Sequence, residues 1–123
     1  MKKKTQSQLK KELDRVFSIY IRAKFPKVCY TCGGRGKTLQ CGHFISRIYL
    51  ATRWSEDNCR PQCVGCNLWG DGKPLDFEEN LKKELGSKKV ETMKKSRHQI
   101  LKLTPSWYEE KIAYYKGLLE LST

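Results

Sequence analysis

Apolar residues recur at three- and four-residue intervals at both ends of the chain and lose that period in between. At the N-terminal end, Leu9, Leu13, Val16, Phe17, Tyr20 and Ile21 predict a helix over 8–24. Ser7 or Thr5 can cap it, and Pro26 ends it. Its apolar face reads as core, which leaves Lys10, Lys11, Arg15, Arg22 and Lys24 to face a partner. At the other end three helices are predicted. Leu75 to Leu85 closes at Gly86, placed for a C-terminal cap. Lys88 to Leu103 is polar, with Val90, Met93, Ile100 and Leu103 as its sparse apolar positions. The last helix carries Pro105 in its first turn and a Ser106-x-x-Glu109 capping box. Tyr108, Ile112, Tyr115 and Leu119 form a stripe along it, read as intramolecular core, with a homodimer seam as the alternative.

Residues 28–74 are different. Cysteine, glycine and aromatic residues cluster there, and Gly33-Gly34 and Gly36 mark turns. Leu39 to Ile45 predicts a short strand, and Cys63 to Gly70 the start of a helix after a tight knuckle. Pro74 separates this centre from the helices that follow.

Composition adds a partner. The chain has 123 residues, 38% of them hydrophobic, enough for one modest core. No run of about 18 apolar residues is present, so a membrane span is not expected. The net charge is +12, of which residues 1–27 hold +7, residues 28–74 hold +3 and residues 75–123 hold +2. So uneven an excess points to a polyanion, with nucleic acid the leading candidate and the N-terminal helix its contact. Met1-Lys2-Lys3-Lys4 is followed by no apolar segment of the kind that directs export, so a cytoplasmic location is expected. In that compartment six cysteines argue for metal rather than disulfides. Cys29-x-x-Cys32 and Cys63-x-x-Cys66 are two knuckles able to converge on one tetrahedral cation. Four thiolates leave no open position, so this zinc is expected to be structural. Cys41 and Cys59 read as small buried side chains, with a second metal site as the alternative.

Between the knuckles lie Gln40-Cys41-Gly42-His43-Phe44-Ile45-Ser46-Arg47 and Thr52-Arg53-Trp54-Ser55-Glu56-Asp57-Asn58, and Asn67 follows the last knuckle cysteine. A histidine ending a strand in a zinc-bounded, basic segment can take a proton from water. A knuckle, a strand ending in His, an Asn, and a second knuckle followed by Asn resemble the HNH, or His-Me finger (ββα-metal), nucleases. Cys-Gly-His-Phe-Ile-Ser-Arg, Thr-Arg-Trp-Ser-Glu-Asp-Asn and Gln-Cys-Val-Gly-Cys-Asn more closely resemble the NinG, or Rap, recombination proteins of lambdoid phages. Phe17-Ser18-Ile19-Tyr20-Ile21-Arg22-Ala23 extends that likeness, which covers residues 8–86.

The resemblance implies an α+β fold in which a small zinc-stabilised ββα-metal (HNH-like) centre is flanked by an N-terminal helix and C-terminal helices. Residues 1–7 would be a basic disordered arm, 8–86 the nuclease core, and 87–123 a helical extension packed on it. It implies a structure-specific endonuclease cutting branched DNA, such as Holliday junctions and D-loops, in a bacterial host. His43 would be the general base, Asn58 would hold the hairpin that orients it, and Asn67 would carry catalytic Mg2+ or Mn2+. Arg47 and Arg53 are added as phosphate clamps because guanidinium matches phosphate geometry. Gly42 departs from the pattern, since many HNH nucleases place a metal-ligating Asp, Glu or His there. Either Asn67 then acts nearly alone, or Glu56, Asp57 or Asp71 joins it. The competing reading is a non-catalytic zinc-knuckle module that binds nucleic acid. Trp54, Trp69 and Trp107 are expected to pack, and His98 to lie on the surface.

Overall fold

The computed structural model describes residues 3–121. The first helix, α1, spans Gln6–Lys24, and its cap is Thr5 rather than Ser7. The Thr5 side chain accepts from the Gln8 backbone at 3.1 Å, and the Gln8 side chain accepts from Thr5 N–H at 2.8 Å. That capping box satisfies two free donors of the first turn. Gln6 and Ser7, expected in the arm, are therefore helical; Met1 and Lys2 of that arm lie outside the described residues. Phe25 is extended because Pro26 follows it, which stops the helix.

Strand β1, Leu39–His43, ends two residues earlier than expected and pairs antiparallel with β2, Cys59–Cys63. Gln40 lies opposite Gln62, and His43 opposite Cys59. The pattern of the sequence did not reveal β2: Cys59-Arg60-Pro61-Gln62-Cys63 does not alternate, and all five residues are buried. Pro61 is tolerated because each strand of a two-stranded sheet is an edge. The link between the strands holds a single helical turn, α2 (Leu50–Arg53), and a 3-10 turn, Glu56–Asn58. After β2 comes a wide π-helical turn, Gly65–Trp69, within the segment expected to begin a helix.

Helix α3 spans Pro74–Leu85, with Pro74 in its first turn and Gly86 at φ 92° closing it. Helix α4, Ser87–Ser96, is shorter than the expected helix to Leu103. Ile100 is 95% exposed, so continuing the helix would bury nothing there, and Pro105 disfavours helix just before it. Helix α5 spans Pro105–Leu121, and its cap is Thr104, whose Oγ1 accepts from Trp107 N–H at 3.2 Å. Ser106 already lies inside the helix, so the expected capping box is not used.

Two apolar clusters flank the hairpin. In one, Leu9, Leu13, Val16, Phe17 and Ile21 of α1 meet Trp54, Cys59 and the α5 residues Tyr108, Ile112 and Tyr115. Full burial of each large side chain contributes about 1.5–3 kcal/mol. The α5 stripe is thus intramolecular. Gln6 Nε2 reaches the Leu103 carbonyl and the rings of Phe17 and Tyr20 meet Tyr115, so α1 and α5 run in the same direction. In the other, Ile45 packs with Phe77, Leu81, Val90 and Met93 of α3 and α4. Arg60, only 2% exposed, ties the hairpin to that side. It pairs with Glu84 at 2.9 Å, donates to the Glu56 and Cys59 carbonyls at 2.7 Å, and stacks over Phe25. Trp54 is buried and Trp107 half-buried, but Trp69, expected to pack, is 84% exposed and belongs to neither cluster. His98 is exposed and meets Tyr49 edge-on. No helix among the described residues is long and apolar enough to cross a membrane.

Candidate functional site

The two knuckles converge. The coordinating sulfurs of Cys29, Cys32, Cys63 and Cys66 all lie within 4.8 Å of one another, and those of Cys32 and Cys63 are 3.8 Å apart. A tetrahedron of zinc–sulfur bonds about 2.3 Å long has edges of about 3.8 Å. Backbone N–H groups of Gly34 and Cys66 point at Cys32 and Cys63 sulfurs, both at 3.4 Å, as knuckle turns do around a metal. Gly33, at φ 73°, makes the first knuckle's reversal possible. Burial pushes the Cys29 thiol up, but backbone N–H groups around it outweigh that and bring it down to about 6. Cys66 goes the other way, up to about 12: Thr31 favours its thiolate, but burial and the three crowded sulfurs oppose it. A divalent cation reverses that penalty. The four cysteines can hold a metal such as zinc.

Beside this centre, between α1 and the hairpin, opens a cavity of about 850 Å³. His43, Asn67, Arg47, Arg15 and Arg22 all line it, together with Asp14 and Asp71. Lys10 and Lys11 are not among its walls; Lys11 lies one helical turn before Arg15 on the same face. His43 is half-buried, and its Nε2 lies 2.8 Å from the Arg53 carbonyl. A carbonyl only accepts, so Nε2 carries the proton and Nδ1 keeps its lone pair. Burial first, then the charge of Arg47, pushes the His43 pKa below 6.5, against the backbone of Arg53 and Cys41 and the Asp14 carboxylate. The ring is therefore neutral at pH 7.

Asn58 never reaches the cavity. It is fully buried; its Oδ1 accepts from Ile45 N–H at 2.7 Å, and its Nδ2 donates to the carbonyls of Ile45 and Thr52, both at 3.1 Å. It thus pins the chain just after β1, at Ile45, to α2, which carries the Arg53 carbonyl. Asn67 Nδ2 donates to Gln40 Oε1 at 2.8 Å, which leaves Asn67 Oδ1 as an acceptor. Among the three open carboxylates, Glu56 is engaged by Lys24 and Tyr20, and Asp57 by Lys89. Only Asp71 reaches the cavity, on a turn at φ 52°.

The expected clamps have another partner. Asp14 accepts from Arg53 Nε at 3.1 Å and Nη2 at 2.6 Å, from Arg47 Nη2 at 2.9 Å and from Trp54 Nε1 at 2.9 Å. Arg53, 15% exposed on its side chain, is held by that bidentate pair and is no free clamp; Arg47, 56% exposed, still reaches the cavity. Sequence reasoning missed Asp14 because an acid on a basic helix, one of two there with Glu12, looks like a solvated charge. Burial pushes the Asp14 carboxyl up, but the Arg53 hydrogen bonds and the charges of Arg53 and Arg47 outweigh it and hold it below 3.8. A pKa lowered by folding stabilises the fold well above 3.8, and the contribution is lost as pH falls through the lowered value. Asp14→Asn is expected to lower stability by about 1–2 kcal/mol at pH 7, since the pair is partly screened. The difference should shrink at pH 3, as measured by urea unfolding at both pH values.

Gly42 also has a structural reason. A Cβ at position 42 would lie 2.1 Å from Gln62 Oε1. Gln62 is fully buried, and its Nε2 is tied to the Gly72 carbonyl at 2.7 Å and to Thr31 Oγ1 at 3.1 Å, so it has nowhere to move. The place of a side chain before His43 is filled from β2. Gly42→Ala is expected to cost about 3 kcal/mol, at the upper end of overpacking penalties. An unchanged urea midpoint would refute this account of the glycine.

Fold and site together define a small mixed helical protein built round a two-stranded hairpin and a cluster of four cysteines that could hold a metal. A family model described as Bacteriophage Lambda NinG protein matches residues 1–122, and the chain belongs to that family. No curated protein and no solved structure matches it.

Proposed function

We propose that this protein is a metal-dependent endodeoxyribonuclease of the HNH type that hydrolyses phosphodiesters in branched DNA, such as Holliday junctions and D-loops, during phage recombination. The observation that carries this reading is one cavity walled by His43, Asn67 and Asp71 and flanked by Arg15, Arg22 and Arg47. Membership of the NinG family supports the phage setting.

The Arg53 carbonyl holds the imidazole by Nε2, and Nδ1 takes the proton from the attacking water. The imidazolium so formed is stabilised by that carbonyl and by the nearby Asp14 carboxylate. Asn67 Oδ1 and Asp71 are hard oxygen donors suited to Mg2+ or Mn2+, which, when bound, supplies Lewis-acid stabilisation of the phosphate. Arg15, Arg22 and Arg47 draw in and orient the backbone, while Arg53 and Asn58 position the base.

The test compares a four-way junction with a linear duplex of the same sequence, with Mg2+, with Mn2+ and with chelator. Cleavage of the junction that requires the cation is expected. Tight binding with no cleavage under either metal would overturn the nuclease and leave the zinc-knuckle binding module. No binding to either DNA would remove both.

A further inference from the structure

Cys41 and Cys59 belong to neither knuckle, yet the hairpin brings them to the one histidine of the cavity. His43 and Cys59 are direct cross-strand partners, and Cys41 is two residues before His43. With a side-chain period of two, all three project from the same face of the sheet. Their coordinating atoms lie within 4.8 Å of one another. We propose that Cys41, His43 and Cys59 form a second metal site, for a thiophilic divalent cation such as Zn2+, Co2+ or Cd2+.

Three features of the surroundings carry this beyond proximity. His43 Nε2 donates to the Arg53 carbonyl at 2.8 Å, which fixes the ring and leaves Nδ1 unprotonated. A histidine that ligates a metal usually donates its other nitrogen to just such an acceptor. The carbonyl is itself fixed, through Arg53 on Asp14 and through Asn58 on α2. Next, the site has a closed and an open side. Cys59 is fully buried at the back, against the α1 cluster, while Cys41 and His43 line the cavity. Three protein ligands and one position facing the cavity make a four-coordinate site that accepts water or an anion. Finally, two thiolates and a neutral imidazole cancel a divalent charge, which suits a half-apolar setting beside the α1 core. Thiolates select soft cations, so this site is distinct from the oxygen donors Asn67 and Asp71. On the proposed nuclease reading, a cation here takes the lone pair of the base and silences it.

The experiment is a Co2+ titration of reduced protein already loaded with zinc at the four-cysteine centre, followed by thiolate-to-cobalt absorption and by total metal content. It does not depend on cleavage, so its failure is separate from failure of the nuclease reading. The wild type should take up one further Co2+ per chain, with charge-transfer bands and tetrahedral visible bands. Cys41→Ser and His43→Ala should keep the zinc and lose the cobalt uptake. Cys59→Ser should do the same, and since it alters a fully buried side chain, the other two variants keep the test decisive should it fail to fold. A wild type that takes up no Co2+ beyond the first site would overturn the proposal. So would a Cys41→Ser or His43→Ala variant that binds it as the wild type does.

Discussion

Removing metal from the four-cysteine centre, by a strong chelator or by Cys63→Ala, should abolish cooperative unfolding of the protein at 25 °C. The centre has little else to hold it. Its apolar cluster contains only Cys29, Cys63 and Cys66, with Leu39 packed against them. Residues 25–38 form neither helix nor strand beyond the isolated Val28–Arg35 bridge. Structural zinc binds small domains with about 10–16 kcal/mol, as much as or more than the whole stability of an ordinary domain. The loss should spread, because Cys63 ends β2, and β2 carries Cys59 into the α1 cluster and Arg60 onto Glu84. Thermal melting followed by circular dichroism, with and without chelator, reads the effect. A metal-free protein that melts at the same midpoint would show the thiols to be ordinary packing. Acid should act like the chelator, since proton and cation compete for the same sulfurs.

What could be read from the sequence follows from how local each interaction is. Helix α1 was legible because one face is apolar and a proline closes it, and the four cysteines because two-residue spacing is itself a geometry. Strand β2 was not. Arg60 and Gln62 look like surface residues; in the fold Glu84 pairs with the Arg60 guanidinium, and Thr31 and Gly72 accept from Gln62 Nε2, contacts that no local pattern announces. The same holds for Asp14, whose partners Arg47, Arg53 and Trp54 lie 33 to 40 positions away. The end of α4 was misplaced because Ile100 and Leu103 keep a helical period, whereas Ile100 has no apolar cluster to enter. The link of His43 to Cys41 had a signal available: alternate residues of a predicted strand share a face. The link to Cys59 needed the register of a strand that the pattern did not show.

His43→Ala should reduce junction cleavage by about 10²–10⁴-fold, the usual contribution of a positioned general base, while DNA binding changes less than about twofold. The asymmetry follows from the cavity. The positive groups proposed to meet phosphate are Arg15, Arg22 and Arg47, which line the cavity, and none of them hydrogen-bonds to the imidazole. What His43 does share with the scaffold is the bond to the Arg53 carbonyl, and Arg53 remains fixed without it by the bidentate pair with Asp14. Asn58, too, keeps its three hydrogen bonds to Ile45 and Thr52. The four-cysteine metal should therefore stay in place, and the stability cost should be only about 1 kcal/mol, that of one lost hydrogen bond. Single-turnover cleavage, duplex and junction affinity, and zinc content measured on the same preparation distinguish the outcomes. Cleavage at the wild-type rate would remove His43 from the chemistry. Loss of the four-cysteine zinc together with cleavage would make it a structural residue, because a base acting in the cavity has no hold on sulfurs of the knuckles.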